Sequence, residues 1–358
     1  MSSPAASMLS LTAPRYTSPS NFTLSHLPTP TIFSPTDVLI KIHATSVNPG
    51  DLRRAAGQFK AFCSTTFPHK LGTDLSGTVI EVGSAADFTP GDQVYGFLAD
   101  TTGAAAEYVV VPASTLSRRP ESVTPTAAAA LPVVGLTALQ AFDYAERTIP
   151  GGLGGKTVFV NAGLSGTGSV AVQLAKNVFG AGRVITTVST GKVARVAELL
   201  GEGTVDVVVD YVRQDVLQEV ERASVDFFFD TKRQAMTYVS LVKPGAGFVG
   251  SISTFPSGEQ IREMYPDTPW ALRRVLDFVD WIYRWRIRRW GVGYAFFLLQ
   301  PKDSADRLAR LAKWMEEGKL SPVVGRMVKL NDLQGVIQGC EEVLSGKGGV
   351  GKFVIEVE

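Results

Sequence analysis

The stretch VFVNAGLSGTGS, residues 158–169, decides how the rest of the chain is read. A short apolar run gives way to a turn with glycines at 163, 166 and 168, and helical spacing follows from 169 to 179. Glycine allows the tight turn and the close approach of a ligand to the main chain, and the unpaired N–H groups at the helix start face a phosphate placed there. Alone, such a turn is a weak signal. Set between a strand and a helix, with a second strand at 184–188, it predicts a dinucleotide site.

NAD recognition calls for an acidic side chain about 20 residues beyond the turn, where it accepts from the ribose 2′-hydroxyl. None stands there. The second strand ends at Ser189, and Lys192 and Arg195 follow, a hydroxyl and two cations suited to a 2′-phosphate. The cofactor expected is therefore NADPH.

Outward from the turn, apolar runs at 184–188, 205–209, 226–229 and 248–252 alternate with helical patterns at 192–200 and 214–222. Alternation of this kind predicts a parallel sheet covered on both faces, a doubly wound Rossmann arrangement within an α/β protein. Before it, from 8 to 108, short β-type runs broken by Pro and Gly read as a smaller β-rich domain. After Pro301 the pattern changes again: a helix at 304–317, a strand at 327–329, a helix at 333–344 and a last strand at 353–357. These pieces are expected to rejoin the first domain, giving 1–135 with 300–358 as one domain and 136–299 as the other.

The 358 residues suit two domains, and 45% hydrophobic content with a net charge of +1 suits a packed enzyme without a global field for nucleic acid. Two cysteines are too few for a disulfide framework or a four-thiolate zinc site. A reducing, cytoplasmic setting follows as the expectation. Residues 1–20 lack the apolar core of a secretory leader, and no apolar run is long enough to span a bilayer.

Several stretches carry a family resemblance: IKIHATSVNPGD (40–51), LGTDLSGTVIEVGSAADFTPGDQVYG (71–96), AAEYVVV (105–111), GLTAL (135–139), the glycine turn with VQLAK (172–176), and GKLSPVV (318–324). Together they resemble the medium-chain dehydrogenase/reductase superfamily, closest to its zinc-independent quinone oxidoreductase and trans-enoyl reductase branch. The resemblance implies a GroES-like catalytic domain beside the Rossmann domain. By position it implies Asn48 and Thr137 beside the nicotinamide ribose and carboxamide, and Ser165, Gly166, Thr167 and Gly168 on the pyrophosphate. Ser189, Lys192 and Tyr211 would surround the adenosine phosphate, and Gly250 and Ser251 would close over the nicotinamide. Phe59, Leu164 and Phe297 are the apolar candidates for substrate contact.

Zinc-dependent relatives place a Cys where this chain has Asn48 or Pro49 and add a His-Glu pair, so no metal is expected. Without a metal Lewis acid, conjugate reduction is easier to explain than reduction of a plain carbonyl. The expected reaction is hydride transfer to an enone, an enoyl thioester or a quinone, including a bulky polyketide-like or carrier-bound intermediate. Some relatives carry a Tyr proton donor near Phe59, which cannot donate. Thr137, Tyr294 and His69 are the remaining candidates for the acid. A double-bond isomerase or cyclase with a structural nucleotide, or a non-enzymatic NADPH-binding scaffold, is the alternative. A monomer or homodimer is expected, with a small-molecule partner and neither nucleic acid nor membrane.

Two features point elsewhere. The run GKGGVGK (346–352) fits seven positions of an ATP-binding loop, but Phe353 stands where Ser or Thr should open a helix. Lys352 is kept as a cofactor contact, since relatives have a Gly-Lys here leading into their last strand. Residues 270–290 hold four of the five tryptophans with six arginines and two aspartates. Helical spacing predicts a buried stripe of Val275, Phe278, Val279, Ile282 and Trp285, leaving Arg284, Arg288 and Arg289 outside, as in a helix packed over the cleft or in a subunit interface; a lid over a large apolar pocket, a dock for a phosphopantetheine carrier and an interfacial membrane helix are the alternatives.

Overall fold

The computed structural model describes residues 5–99, 103–346 and 349–357, so Lys347 and Gly348 of the glycine-lysine run lie outside the described residues. In chain order the strands begin with β1 (Ser7–Ala13), β2 (Thr23–Pro28), β3 (Asp37–Val47), β4 (His69–Lys70), β5 (Asp74–Val82), β6 (Gln93–Phe97), β7 (Tyr108–Pro112) and β8 (Leu116–Arg118). They continue with β9 (Thr157–Val160), β10 (Arg183–Val188), β11 (Val207–Asp210), β12 (Phe227–Asp230), β13 (Phe248–Ser251), β14 (Gly293–Phe296), β15 (Val324–Lys329) and β16 (Lys352–Glu356). The helices are α1 (Pro49–Ala55), α2 (Pro125–Ala129), α3 (Pro132–Thr148), α4 (Gly166–Gln173), α5 (Arg195–Leu200), α6 (Val216–Glu219), α7 (Ala235–Tyr238), α8 (Gly258–Met264), α9 (Trp270–Arg288), α10 (Ser304–Glu316) and α11 (Leu333–Ser345).

The chain divides into two compact units, one of residues 1–136, 301–317 and 322–358, the other of 137–300 and 318–321. In the first, a seven-stranded sheet runs β15-β16-β3-β5-β6-β8, with β7 also paired to β3, and a small sheet runs β2-β1-β4. All pairings are antiparallel except β15 with β16. The long β3 buries Ile40 and Ile42 with Leu75 and Val94 in one core, and it ends where Asn48 and Pro49 start α1, proline's fixed φ suiting the first helical position.

The second unit holds a six-stranded sheet in the order β11-β10-β9-β12-β13-β14, every pair parallel. Numbered within the unit this is 3-2-1-4-5-6, the order of a dinucleotide-binding sheet, and its switch point lies between β9 and β12. The run Phe227-Phe228-Phe229 is fully buried, as a strand covered on both faces must be. Phe159 of β9 stacks on Phe228 at 4.7 Å between ring centroids, each such buried ring contributing roughly 1.5–3 kcal/mol.

Three local expectations need correction. The helical pattern at 214–222 yields only the four residues of α6, because Val220 is already extended. The sixth strand, β14, was not expected: Gly293–Phe296 is too short to show a period. The helix at 270–290 forms as α9, but it is turned over relative to the predicted stripe. Leu276, Asp280 and Ile287 are its buried residues, whereas Val275, Phe278 and Trp285 are exposed. Apolar residues at helical spacing occur on both sides of this helix, and Ile287 packs into the sheet core with Val292 and Tyr294.

Candidate nucleotide site

The glycine turn joins β9 to α4. Ala162 takes a left-handed conformation at φ 54°, held by its N–H donating to Thr187 Oγ1 at 3.0 Å. Ser165 caps α4, its Oγ accepting from the Gly168 N–H at 3.1 Å, and the first backbone bond of the helix is Ser169 N–H to Ser165 O at 2.9 Å. The amides of Gly166 and Thr167 precede that bond and point out of the helix start. A Cβ on Gly163 would stand 2.1 Å from Thr186 Oγ1, and one on Gly168 would stand 2.1 Å from the Ala162 carbonyl oxygen. Glycine at these two positions is thus a packing requirement as well as room for a phosphate.

What locks the turn is Asn161, which the sequence reading did not single out. Its side chain is fully buried. The amide Nδ2 donates to Asp230 Oδ1 at 3.0 Å and to Gln234 Oε1 at 2.9 Å, while Oδ1 accepts from the Thr231 N–H at 2.6 Å. These bonds bridge the carboxyl ends of β9 and β12 at the switch point, where open α/β sheets bind ligands. The Asp230 carboxylate also accepts from the amides of Lys232, Gln234 and Ala235 and from Ser251 Oγ at 3.0 Å. The Ser251 hydroxyl therefore supports Asp230 from a fully buried position. Gly250 is closely faced by Phe297 and Phe227, and Phe297 and Leu164 are themselves buried.

At the end of β10, Ser189 opens a short 3-10 turn over Thr190–Lys192. Burial holds the Lys192 ammonium below the usual lysine range, and the positive charges of Lys232 and Arg195 lower it further. A third cation, Lys232, thus stands with the two read from the sequence. It was missed because it follows a different strand. Arg195 also pairs loosely with Glu198 at 3.8 Å. Tyr211 is exposed just past β11. Such a group of cations fits a dianionic phosphate, whose charge would relieve their mutual repulsion.

In the first unit the predicted residues Asn48 and Lys352 meet in a buried polar cluster around Asp74. Asn48 Nδ2 donates to Asp74 Oδ2 at 2.8 Å, and Lys352 Nζ donates to Asn48 Oδ1 at 2.5 Å, Asp74 Oδ2 at 3.2 Å and Val47 O at 3.3 Å. All three ammonium donors are taken within the cluster. Lys352 therefore acts here as the counter-ion of Asp74, a role the sequence did not suggest. Asp51 accepts from the Asn48 N–H and from the Thr73 hydroxyl, yet burial raises its pKa to about 6.

The three acid candidates lie in different surroundings. His69 is buried in β4, and desolvation, helped by Arg54 and Lys70, lowers its pKa to about 4. Tyr294 is buried in β14 with its hydroxyl at 2.5 Å from Thr254 Oγ1, and burial raises its pKa. Thr137 is half-buried on α3, and Phe59 is half-buried beyond α1.

A six-stranded parallel sheet with a glycine turn at its switch point, in a chain that also forms a GroES-like β unit, defines a dehydrogenase-type protein. Residues 34–121 match the alcohol dehydrogenase GroES-like domain, and residues 203–355 match the zinc-binding dehydrogenase model. The chain is 31% identical over 235 residues to a zinc-type alcohol dehydrogenase-like protein of Staphylococcus aureus, covering 64% of this chain and 67% of that one. It is 33% identical over 220 residues to an NADPH-dependent alkenal/one oxidoreductase, chloroplastic, of Arabidopsis thaliana, covering 59% of this chain and 54% of the relative. The match thus spans about half the length of that curated relative. A quinone oxidoreductase structure from Coxiella burnetii superposes with a TM-score of 0.77 at 27% identity, covering 98% of this chain and 100% of that one. The chain belongs to the medium-chain dehydrogenase/reductase superfamily. Although one matching model is named for zinc, no group of three or more His, Cys, Asp or Glu side chains among the described residues is placed to hold a metal ion.

Proposed function

We propose that this protein is an NADPH-dependent oxidoreductase that reduces an activated C=C bond or a quinone without zinc. The observation that carries the reading is the trio Lys192, Arg195 and Lys232 at the carboxyl end of the sheet, beside a glycine turn with no acidic residue for a free 2′-hydroxyl. NADPH fits this chain: the Gly166 and Thr167 amides take the pyrophosphate, the cations take the 2′-phosphate, and Ser189 and Tyr211 border it. When bound, NADPH supplies the hydride. The names of the alkenal/one reductase and quinone oxidoreductase relatives support a conjugated acceptor.

The chain's own groups restrict where the proton comes from. His69, with a pKa near 4, is neutral at neutral pH and has no proton to give from a cationic form. Tyr294 is a still weaker acid than a free phenol and is tied to Thr254. We assign protonation of the α-carbon to solvent, with Thr137, whose hydroxyl is a weaker acid than a phenol, able only to relay that proton. Zinc independence rests on the donor set, in which Asn48 and Pro49 stand where zinc relatives carry Cys. Phe278, Trp281 and Trp285 of α9 are exposed and line no described acceptor pocket, so the proposal stops at a small conjugated acceptor. Two free cysteines suit a reducing compartment, proposed to be the cytoplasm, whereas the Arabidopsis relative is named chloroplastic.

Loss of NADPH absorbance with a panel of enones, quinones and enoyl thioesters tests the reading. Turnover with at least one conjugated acceptor is expected, and none with the corresponding saturated ketones run as controls. Consumption with none of them, or product formed without NADPH consumption, would refute it.

A further inference from the structure

The helix α9 is apolar on two opposite sides, and only one is used by the fold. Its inner side carries Leu276, Tyr283 and Ile287 into the core. Its outer side carries Trp270, Val275, Phe278, Trp281 and Trp285, all between 48% and 65% exposed. Phe278 stacks on Trp281 at 6.0 Å and Trp281 on Trp285 at 6.5 Å, so the three rings form one continuous ridge along the helix. A helix that is apolar all round is normally covered on both sides.

Cations outnumber carboxylates around the ridge, six arginines to two aspartates over residues 270–290. Arg274 lies over Trp270 and Arg289 over Trp285, at 5.9 and 5.0 Å from the ring centroids. Arg286 and Arg288 are exposed beside them, and among the described residues Arg286, Arg288 and Arg289 have no ion-pair partner. Of the two aspartates, Asp280 is buried and bound to Arg284 at 2.6 Å, and Asp277 accepts from the Gly258 N–H at 2.8 Å and pairs with Arg274 at 3.4 Å. No carboxylate of α9 is thus left to meet a cationic partner. No described helix is long and apolar enough to cross a membrane. At about 1.5 Å per residue the outer side from Trp270 to Trp285 instead offers roughly 22 Å for lying along a surface.

We propose that the outer face of α9 docks on an anionic lipid surface, with Phe278, Trp281 and Trp285 entering the headgroup boundary and Arg286, Arg288 and Arg289 meeting lipid phosphates. Aromatic rings amphipathic enough for the interface, bordered by cations in excess of carboxylates, are the composition of a helix that lies in the membrane plane. A second copy of this chain would meet the same three unpaired arginines with its own. The inference stands apart from the reductase reading, since it needs no cofactor or turnover.

Flotation of the full-length chain with phosphatidylcholine vesicles, with and without phosphatidylglycerol, at low and high salt, tests it. Co-flotation with the anionic vesicles and a blue shift of tryptophan emission are expected, with little binding to phosphatidylcholine alone. Replacing Trp281→Ser or Trp285→Ser should lower partitioning on the order of tenfold each. Arg286→Gln or Arg288→Gln should lower it about fivefold each at low salt and much less at high salt. All four side chains point outward, so thermal midpoints should stay at the wild-type value, separating lost docking from lost folding. The proposal fails if the wild-type chain stays in the soluble fraction with anionic vesicles, or if the variants float as well as it does. It also fails if the chain forms a dimer that the tryptophan variants abolish while vesicles bind nothing, which would assign the face to a second copy.

Discussion

Asp74 and Asp230 are both fully buried carboxylates at the ends of strands, one in each unit, and they are stabilised in opposite ways. Asp74 is neutralised by a full charge, the Lys352 ammonium at 3.2 Å, with Ser46 Oγ, Asn48 Nδ2 and the Val133 amide adding donors. Asp230 forms no ion pair among the described residues and is held by neutral donors only: three backbone amides, Asn161 Nδ2 and Ser251 Oγ. The first arrangement joins β3, β5 and β16 across nearly the whole sequence. The second shapes the loop ends of β9, β12 and β13 where the nucleotide is proposed to bind. Pairing with an ion joins distant strands here, whereas a cage of neutral donors holds Asp230 without drawing on the cations Lys192, Arg195 and Lys232.

Breaking the ion pair should have the largest effect. Asp74→Ala leaves the Lys352 ammonium buried without its counter-ion and should cost about 3–5 kcal/mol in urea unfolding. Adding Lys352→Met to it should restore much of that loss. Asp230→Asn keeps the shape but places amide hydrogens against donors, and should cost about 1–3 kcal/mol, with nucleotide affinity falling alongside stability. A smaller effect is expected at the cations: Lys192→Ala or Lys232→Ala should weaken NADPH binding about tenfold each, with little change for NADH, as loss of a charge-assisted bond of about 1.5 kcal/mol requires.

The subtlest test is pH. Folded Asp51 keeps its proton up to about pH 6, whereas the ordinary value is 3.8, so its contribution to stability is complete below 3.8 and is lost as pH rises toward 6. Folded His69 stays neutral down to about pH 4, whereas the ordinary value is 6.5, so its contribution is complete above 6.5 and is lost as pH falls toward 4. Between these limits the two effects oppose each other. Asp51→Asn should therefore steepen the loss of the urea midpoint on acidification, and His69→Gln should flatten it.

The glycine turn, the alternation of strands and helices and the missing acid after β10 are local patterns, and they made the α/β fold and the cofactor legible. Residues whose meaning depends on distant partners were not. Asp74 reads in LGTDLSG as an ordinary residue before a strand, because Lys352 lies 278 positions away. Lys352 itself was read from its glycine neighbours as a cofactor contact. Asn161, within the deciding stretch, looked like a turn residue until Asp230 and Thr231 came beside it. Periodicity failed in α9 for another reason: both faces satisfy it, and only packing against the sheet chooses between Leu276 with Ile287 and Phe278 with Trp285.

Titration calorimetry of the wild-type chain with NADPH and then with NADH tests the central claim most directly. Binding of NADPH at least about tenfold tighter than NADH is predicted, from the charge-assisted contacts of its 2′-phosphate. Equal affinities, a preference for NADH, or no binding of either would contradict the account.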